Sequence, residues 1–353
     1  MIDLTPHYRK TRRKLTIIGG VLIAVLLVLT VFSIAQTRFP TTFMQAWEVI
    51  YNRIMGIPPE GYMEVMRDDF VFNKDIPRAL CAVMIGAALA VCGAVMQSMT
   101  RNPLTDPYTM GLSSASLLGV VLSIMLGISI IPGLTDTAAT IANAFVFTLI
   151  PAVIIIFLST YRKMSSTMMV LTGVGIMYVF SAFSTFIKIN AEPEKLDEAY
   201  RWSVGTLSMI EWNSVLPIAI VTILACVIFT IIAKQINILS TGDNVALSLG
   251  VSPVRLRAFC LLIISIAVAA CVCFTGSIGF VGLVAPHITR LFTGNDNRKL
   301  IPFSALVGAL LLLTADTIVR MIPYGLPAGV ITAAIGSPLF IFFLYKQRKT
   351  ETF

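Results

Sequence analysis

Apolar stretches long enough to cross a lipid bilayer recur along the whole chain, with short polar breaks between them. The first occupies Leu15–Ala35, directly after the basic run Arg9–Lys14, and is interpreted as an uncleaved first span. The other long stretches occupy residues 78–99, 138–160, 167–189, 213–233, 258–274, 301–321 and 328–345. A helix needs about 20 apolar residues to cross the hydrocarbon core of a bilayer. Each stretch is therefore predicted to be a membrane-spanning helix.

Two further segments are apolar but interrupted by small and polar residues. The stretch 108–128 contains Gly111, Gly119 and several serines, so we expect it to face protein rather than lipid on part of its surface. The stretch 276–287 contains three glycines and ends in a proline and a histidine. It is predicted to be a short eighth segment rather than a regular helix. The predicted fold class is an all-α membrane protein, a polytopic bundle of about ten transmembrane helices, and whether the eighth segment fully crosses is left open.

The polar segments are predicted to be loops within one membrane domain, residues 1–353. A basic tail, residues 1–14, precedes the first span. Two longer polar segments, 38–75 and 190–212, are predicted to be loops on one side of the membrane. Residues 234–257 are too polar to span, and their glycine and proline residues predict two short helices on the opposite side.

The composition indicates that lipid surrounds much of this protein. Hydrophobic residues make up 57% of the 353 residues and charged residues 12%, whereas a soluble domain carries roughly 25% charged residues. The mean hydropathy is +0.87. The net charge of +8 comes from short basic clusters beside the apolar stretches, as at membrane borders. The charge therefore does not indicate nucleic-acid binding.

The charged residues are distributed unequally between the two sides of the predicted bundle. Ten crossings place both chain ends and the loop 234–257 on one side, together with 17 of the 26 basic residues and five of the 18 acidic residues. Short loops rich in Lys and Arg remain in the cytoplasm. Both termini are therefore predicted to be cytoplasmic.

The chain lacks the motifs of a nucleotide-binding or catalytic site. Neither the phosphate-binding pattern GxxxxGK[ST] nor HExxH, GxSxG or GxGxxG occurs, so any ATP and magnesium that drive this protein must bind to another chain. All six cysteines lie in apolar stretches, where thiols act as small apolar fillers. Cys271 and Cys273 have no further ligand nearby, and no metal or other cofactor is predicted on this chain.

Asp316 is the one acidic residue deep within a predicted span, and Arg320 follows it by one helical turn. Charged residues inside spans are functional candidates, whereas Asp and Arg four residues apart on a helix favour a structural ion pair. We interpret these two residues as such a pair, and His287 at a membrane border as structural. An ion-coupled secondary transporter would need further buried acids and broken-helix ion sites, and it stays as the alternative hypothesis.

Five blocks of sequence, in order along the chain, resemble the permease subunits of type II ABC importers, the FecCD family. The blocks are Pro77–Leu104, Arg201–Leu207, Ala246–Val251, Gly279–Arg290 and Ala315–Phe340. The resemblance extends from about residue 76 to residue 346. The family includes the permeases for vitamin B12, haem and ferric siderophores, and membership implies the type II importer permease fold with ten helices.

The resemblance also implies partners and a location. A second permease subunit, identical or paralogous, would complete a dimer around a central pathway. Cytosolic ATPase subunits would bind the inner face, and an extracytoplasmic substrate-binding protein would dock on the outer face. The location implied is the cytoplasmic membrane of a prokaryote, with lipid around the subunit.

The resemblance assigns roles to three sets of residues. Arg78 and Arg320 match outer-face positions that resemble docking points for acidic residues of the binding protein, although Asp75 and Gly325 depart from the family pattern nearby. The loop 234–257, which its composition also marks as a surface for a partner, matches the ATPase-coupling segment. Its central residues are Ala246, Leu247, Ser248, Leu249, Gly250, Val251, Ser252 and Pro253. The residues assigned to helix packing or to the pathway are Gly86, Ala90, Gly93, Gln97, Gly279 and Gly282.

These observations together predict a non-enzymatic transmembrane subunit of an ATP-driven importer for a metal chelate, working by alternating access. A ferric siderophore is the expected cargo, with haem and cobalamin as alternatives. The ATPase activity is expected on a separate chain.

Overall fold

The computed structural model describes residues 5–37, 39, 41–162, 164–322 and 325–350, and every regular element in those ranges is helical. The α-helices are α1 (Thr5–Ile34), α2 (Phe43–Ile54), α3 (Tyr62–Asp69), α4 (Ile76–Thr100), α5 (Leu112–Leu126), α6 (Asp136–Arg162), α7 (Ser166–Lys188), α8 (Pro193–Val204), α9 (Trp212–Ile231), α10 (Ala233–Ser240), α11 (Asp243–Ser248), α12 (Pro253–Thr275), α13 (Val281–Thr293), α14 (Asn297–Met321) and α15 (Ala328–Thr350). A π-helical turn, Phe70–Asp75, joins α3 to α4, and a 3₁₀ turn, Pro107–Met110, precedes α5.

Seven helical stretches in the described part of the chain are long and apolar enough to cross a membrane. They are Arg13–Ile34, Tyr62–Thr100, Asp136–Arg162, Ser166–Lys188, Trp212–Ile231, Pro253–Thr275 and Asn297–Met321. Two shorter apolar helices, Leu112–Leu126 and Ala328–Phe342, correspond to the third and tenth predicted segments. With α13 as the eighth segment, the all-α bundle that the hydrophobic pattern predicts is confirmed.

The eighth segment does not cross as a single helix. At 1.5 Å per residue, the 13 residues of α13 extend about 20 Å, against a hydrocarbon core of about 30 Å. Residues 276–280 before it are irregular, and Phe280 has a left-handed φ of 68°. Gly205 lies against the carbonyl of Ser277, and Gly336 lies against the side chain of Phe280. Such backbone is tolerated at membrane depth only where protein covers it.

Three of the segments predicted to be tails or loops are largely helical. The tail 1–14 is helical from Thr5 onward and continues into the first span, while residues 1–4 lie outside the described ranges. Residues 38–75 contain α2, α3 and the π-helical turn, with Arg38 and Pro40 also outside those ranges. Residues 190–212 contain α8. A search for long apolar runs misses short amphipathic helices, because these helices bury only one face.

The loop 234–257 contains the two short helices that its glycine and proline pattern predicts. They are α10 and α11, and the chain bends between them at Gly242, whose φ is 127°. Pro253 then occupies the first turn of α12, where its missing N–H removes no helical hydrogen bond.

Helix α4 lies at the centre of the bundle and is packed through glycines. Of its most apolar stretch 78% is buried, compared with 11% for α1 and for α7. A methyl group on Gly86 would overlap the carbonyl of Gly308 in α14, and one on Gly93 would overlap the carbonyl of Gly282 in α13. Small residues of this kind let helix backbones touch inside membranes.

The residues predicted for packing or for the pathway therefore divide into two groups. Gly86, Ala90, Gly93 and Gly282 lie in the buried contacts of α4 with α14 and α13. Gln97 is also buried, and its side-chain amide donates to the carbonyls of Gly282 and Leu283 at 3.4 and 3.3 Å. No atom lies within 4 Å of a methyl group placed on Gly279.

A buried cluster of four charged residues holds the other end of α4. Arg78 donates to the Asp316 carboxylate from Nε and Nη2 at 2.9 and 2.7 Å. Arg320 donates to the same carboxylate from Nε at 3.0 Å. Its Nη1 also donates to Asp75 at 3.2 Å and to the carbonyl of Ser33 at 3.0 Å. The cluster thus ties the ends of α1, α4 and α14 together.

The π-helical turn delivers the fourth member of this cluster. It ends at Asp75, immediately before α4 begins, and Asp75 is 6% exposed. With Asp75 included, two guanidiniums face two carboxylates, so the cluster is neutral as a whole. We call the side of the bundle with this cluster the far side, and the side with α10 and α11 the near side.

We expect Gly86→Ala to destabilise the protein, because the added methyl group would force α4 away from α14. A matched control is Gly20→Ala in α1, where the methyl group would meet nothing within 4 Å. Alanine favours helix over glycine by about 1 kcal/mol, so the control should be neutral or stabilising. Thermal unfolding in detergent, followed by intrinsic fluorescence, measures both. Equal unfolding temperatures for the two variants would contradict the close packing described above.

We also expect Asp316→Asn to lower the free energy of unfolding by about 3–5 kcal/mol, because it leaves two buried guanidiniums short of a countercharge. The control is Asp197→Asn, which breaks an ion pair with Arg201 of the same four-residue spacing but on an exposed surface. Exposed pairs contribute at most about 1 kcal/mol. Denaturant unfolding of both variants tests the difference. Similar losses in the two proteins would show that burial of the cluster adds nothing.

Candidate functional site

The near side of the bundle carries a short helix with apolar side chains on its surface. In α11 and its C-cap, Val245, Leu247 and Leu249 are 46%, 59% and 60% exposed. Ala246 is buried and anchors the helix to the bundle. Gly250 follows with a φ of 79°, a left-handed conformation that glycine adopts without steric cost. The result is a small apolar knob on a polar face.

Charged hydrogen bonds fix this knob to the membrane helices. The carboxylate of Asp243, the first residue of α11, accepts from Arg257 Nη1 at 2.8 Å and from Nη2 at 2.5 Å. Arg257 is buried in α12, and its Nε donates to the carbonyl of Met99 in α4 at 3.2 Å. These hydrogen bonds from Arg257 hold the pKa of the Asp243 carboxyl below its ordinary value. A bidentate pair of this kind fixes both position and orientation.

A second polar group fixes α10 in the same way. The side chain of Asn237 donates to Asp296 at 2.7 Å and accepts from the backbone and side chain of Asn297 at 2.8 Å. Asn297 in turn accepts from Ser98 of α4 at 2.8 Å. Hydrogen bonds from Arg298 lower the pKa of Asp296 to about 2. Helices α10 and α11 are therefore tied to α4, α12 and α14.

The residues predicted for ATPase coupling all fall in this knob and the turn after it. Ala246 and Pro253 are buried and hold the segment, and Val251 and Ser252 are half-buried. The exposed members are Leu247, Ser248, Leu249 and Gly250. The geometry suits a contact surface, because exposed leucines on a rigid helix outside the apolar spans are available to a partner chain.

The two residues predicted for docking on the far side are buried, whereas a docking residue must be exposed to reach a partner. The side chains of Arg78 and Arg320 are 8% and 1% exposed, and both pair with Asp316. The expected ion pair between Asp316 and Arg320 is present, at 3.0 Å. Neither guanidinium offers a free charge at the surface, because the carboxylates of Asp316 and Asp75 already occupy them. In this structure they join helices rather than present a docking site.

The sequence did not predict that Asp75 and Asp106 are buried, because both lie in segments interpreted as loops. Asp75 belongs to the far-side cluster, and Asp106 is 8% exposed at the start of the 3₁₀ turn. Asp106 accepts from the backbone N–H of Tyr108 at 2.8 Å, as a helix cap does. Each acid thus has a structural partner. In the part of the chain that the structure describes, no three His, Cys, Asp or Glu side chains come together as a metal site.

A family model describes most of this chain. The model of the FecCD transport family matches residues 25–346. The match begins well before residue 76, where the sequence blocks begin, and it includes the C-terminal third of α1. Six of the seven long apolar stretches and all of α10 and α11 lie wholly inside the matched region.

Named relatives and a solved structure agree with this assignment. The hemin transport system permease HmuU of Yersinia pestis is 33% identical over 94% of this chain and 96% of its own. The cobalamin import system permease BtuC of Halobacterium salinarum is 35% identical over 76% of this chain and 71% of its own. A structure described as an inward-facing conformation, assigned to a metal-chelate type ABC transporter, superposes with a TM-score of 0.80. It is 27% identical and covers 94% of this chain and 99% of its own.

The all-helical bundle, the family match and these relatives lead to the same assignment. The chain belongs to the FecCD transport family and is a multi-pass membrane permease of the ABC importers that carry metal chelates, with the ATPase on a separate chain.

Proposed function

We propose that this permease carries a ferric siderophore across the cytoplasmic membrane by alternating access. In this proposal it pairs with a second permease subunit and binds cytosolic ATPases on the near side. A substrate-binding protein delivers the chelate on the far side. The observation that carries the proposal is the knob of α11, an apolar contact surface fixed rigidly to the central helices of the bundle.

The rigidity of this connection supports a coupling role. A partner that moved α11 would pull on Arg257, whose guanidinium bonds to both Asp243 and the carbonyl of Met99. Movement at the surface is thereby passed to α12 and α4. Coupling between distant sites requires such a continuous connection or an equivalent two-state element.

The charge distribution supports the orientation. The near side contains the loop 234–257 and the basic clusters, and Lys- and Arg-rich short loops stay in the cytoplasm. Both chain ends are proposed to be cytoplasmic on the same ground. The ATPases, which need cytosolic ATP, would then meet α11 directly.

The cargo is proposed from the class that the relatives share. HmuU is named for hemin and BtuC for cobalamin, and the superposed structure is assigned to metal chelates. Hemin, cobalamin and other metal chelates are bulky molecules that hold a metal ion, as a ferric siderophore does. Competition between these three ligands distinguishes the proposed cargo from its alternatives.

The function is tested by uptake into liposomes that contain this permease with its partner ATPase and binding protein. We expect radiolabelled ferric siderophore to accumulate only with enclosed ATP, and unlabelled haem or cobalamin to compete poorly. Dissipating proton and sodium gradients with ionophores should leave uptake unchanged. Uptake without the ATPase, driven by an ion gradient, would contradict the proposal in favour of a secondary transporter. Stronger competition by haem or cobalamin would reassign the cargo.

We further expect the double variant Leu247→Ala, Leu249→Ala to bind the ATPase at least about tenfold more weakly. Burial of a leucine side chain contributes roughly 1.5–3 kcal/mol, and 1.4 kcal/mol corresponds to a factor of ten in affinity. The unfolding temperature should not change, because both side chains are exposed. Asn244→Ala, an exposed polar truncation in the same helix, is the control and should bind normally. Unchanged affinity of the leucine variant would show that the knob is not the contact.

A further inference from the structure

A polar cavity opens on the near side, beside the knob of α11 but separate from it. Its volume is about 310 Å³. The ends of α4 and α10, helix α13 and the connection from α13 to α14 surround it. The polar residues that line it include Gln97, Ser98, Arg101, Ser240, Arg290 and Asn295. None of the lining residues carries a negative charge.

Arg290 brings a positive charge into this cavity without a countercharge. Its Nη1 donates to the side-chain oxygen of Gln97. Within the described ranges of the chain, no carboxylate lies within ion-pair distance of Arg290. Arg290 is half-buried. A guanidinium that is partly removed from water and has no carboxylate partner is costly, and an anion that enters the cavity would remove that cost.

Arg101 adds a second, incompletely neutralised charge at the rim. Its side chain is 44% exposed, and its Nη2 lies 3.8 Å from Asp243, whose carboxylate is already held by Arg257 at 2.5 Å. Arg101 also has a left-handed backbone with a φ of 54°, which is uncommon for a residue with a side chain. A glycine would adopt that backbone without strain, so the arginine here carries a conformational cost.

The position of the cavity indicates the direction from which an anion would enter it. It lies at the end of α4, the most buried long helix, and so away from the lipid-facing perimeter of the subunit. Through Arg101 and Asp243 it is continuous with α11. A group that enters it therefore comes from the same direction as the partner of α11, rather than from the bilayer.

We infer that this cavity receives an acidic side chain of the ATPase, whose carboxylate pairs with Arg290 and Arg101. The inference rests on the proposed function, since it requires an ATPase on the near side. It adds a second, ionic contact to the apolar contact at α11. Charge pairs of this kind set orientation and association rate as well as affinity.

The contact would reach the middle of the bundle. Gln97 connects Arg290 to the carbonyls of Gly282 and Leu283. Gly282 is the residue whose backbone touches Gly93 of α4. A carboxylate bound at Arg290 is therefore one hydrogen-bonded residue away from the contact between α13 and α4.

The test measures how tightly the ATPase binds to the permease in nanodiscs of phosphatidylcholine, as a function of sodium chloride concentration. We expect Arg290→Gln with Arg101→Gln to weaken binding at least tenfold at 150 mM salt and to make binding less dependent on salt. Arg290→Lys with native Arg101, which keeps the charge, should lose less than threefold. The control Lys234→Gln removes an exposed charge of α10 outside the cavity lining, and should also lose less than threefold.

The outcomes separate this inference from its alternatives. Unchanged affinity and salt dependence of the double glutamine variant, with a normal unfolding temperature, would overturn it. If phosphatidylglycerol in the discs raised the unfolding temperature of the native protein but not of that variant, and ATPase affinity stayed equal, the cavity would bind a lipid headgroup and the inference would be wrong. Failure of the native permease to bind any ATPase would instead count against the proposed function.

Discussion

The carboxylate of Asp316, held between two guanidiniums, is the interaction on which the rest of the bundle depends. It is fully buried, so its charge has no access to water and must be balanced by Arg78 and Arg320. Balancing it brings the start of α4 and the end of α14 to the same place. With that end fixed, the glycine contacts further along α4 fall into register with α14 and α13. Because an unpaired buried charge is costly, the cluster holds α1, α4 and α14 in a fixed arrangement at this end.

The hydrophobic pattern predicted the spans well because long apolar runs have few alternatives to crossing a membrane. Helices α10 and α11 could be predicted because the glycine and proline residues that interrupt them are signals local to the sequence. Neither the apolar runs nor these breaks predict the position of Asp75, which belongs to the buried cluster only because a π-helical turn and α14 bring it there. Long-range partners of this kind leave no periodic trace in a single sequence.

The residues predicted for partner contacts on the near side and on the far side show the same limit of prediction from a single sequence. The segment predicted for coupling, Ala246 to Pro253, could be placed outside the membrane from its polar composition and its glycine and proline breaks, because these are local properties of the sequence. Arg78 and Arg320 were assigned to docking by the resemblance of their sequence blocks to the family, which does not show which side chains they meet in the fold. Their burial follows from Asp316 and Asp75, which lie 238 and 245 residues away from their respective partners. The clamp between Arg257 and Asp243 was missed because both had been counted only as charges of a loop.

The contact of Gly86 with Gly308 has a mechanical consequence. Two helices that meet through side chains interlock, and one can pass the other only if those side chains change rotamer. Where backbone lies against backbone, no side chain has to move aside at that point. The surfaces resist separation, because many atoms are in contact, but they oppose sliding only weakly. Because the far-side cluster joins Arg78 of α4 to Asp316 of α14, it blocks sliding at that end, and the motion left open at the glycine contact is a rotation of α14 against α4 about the cluster.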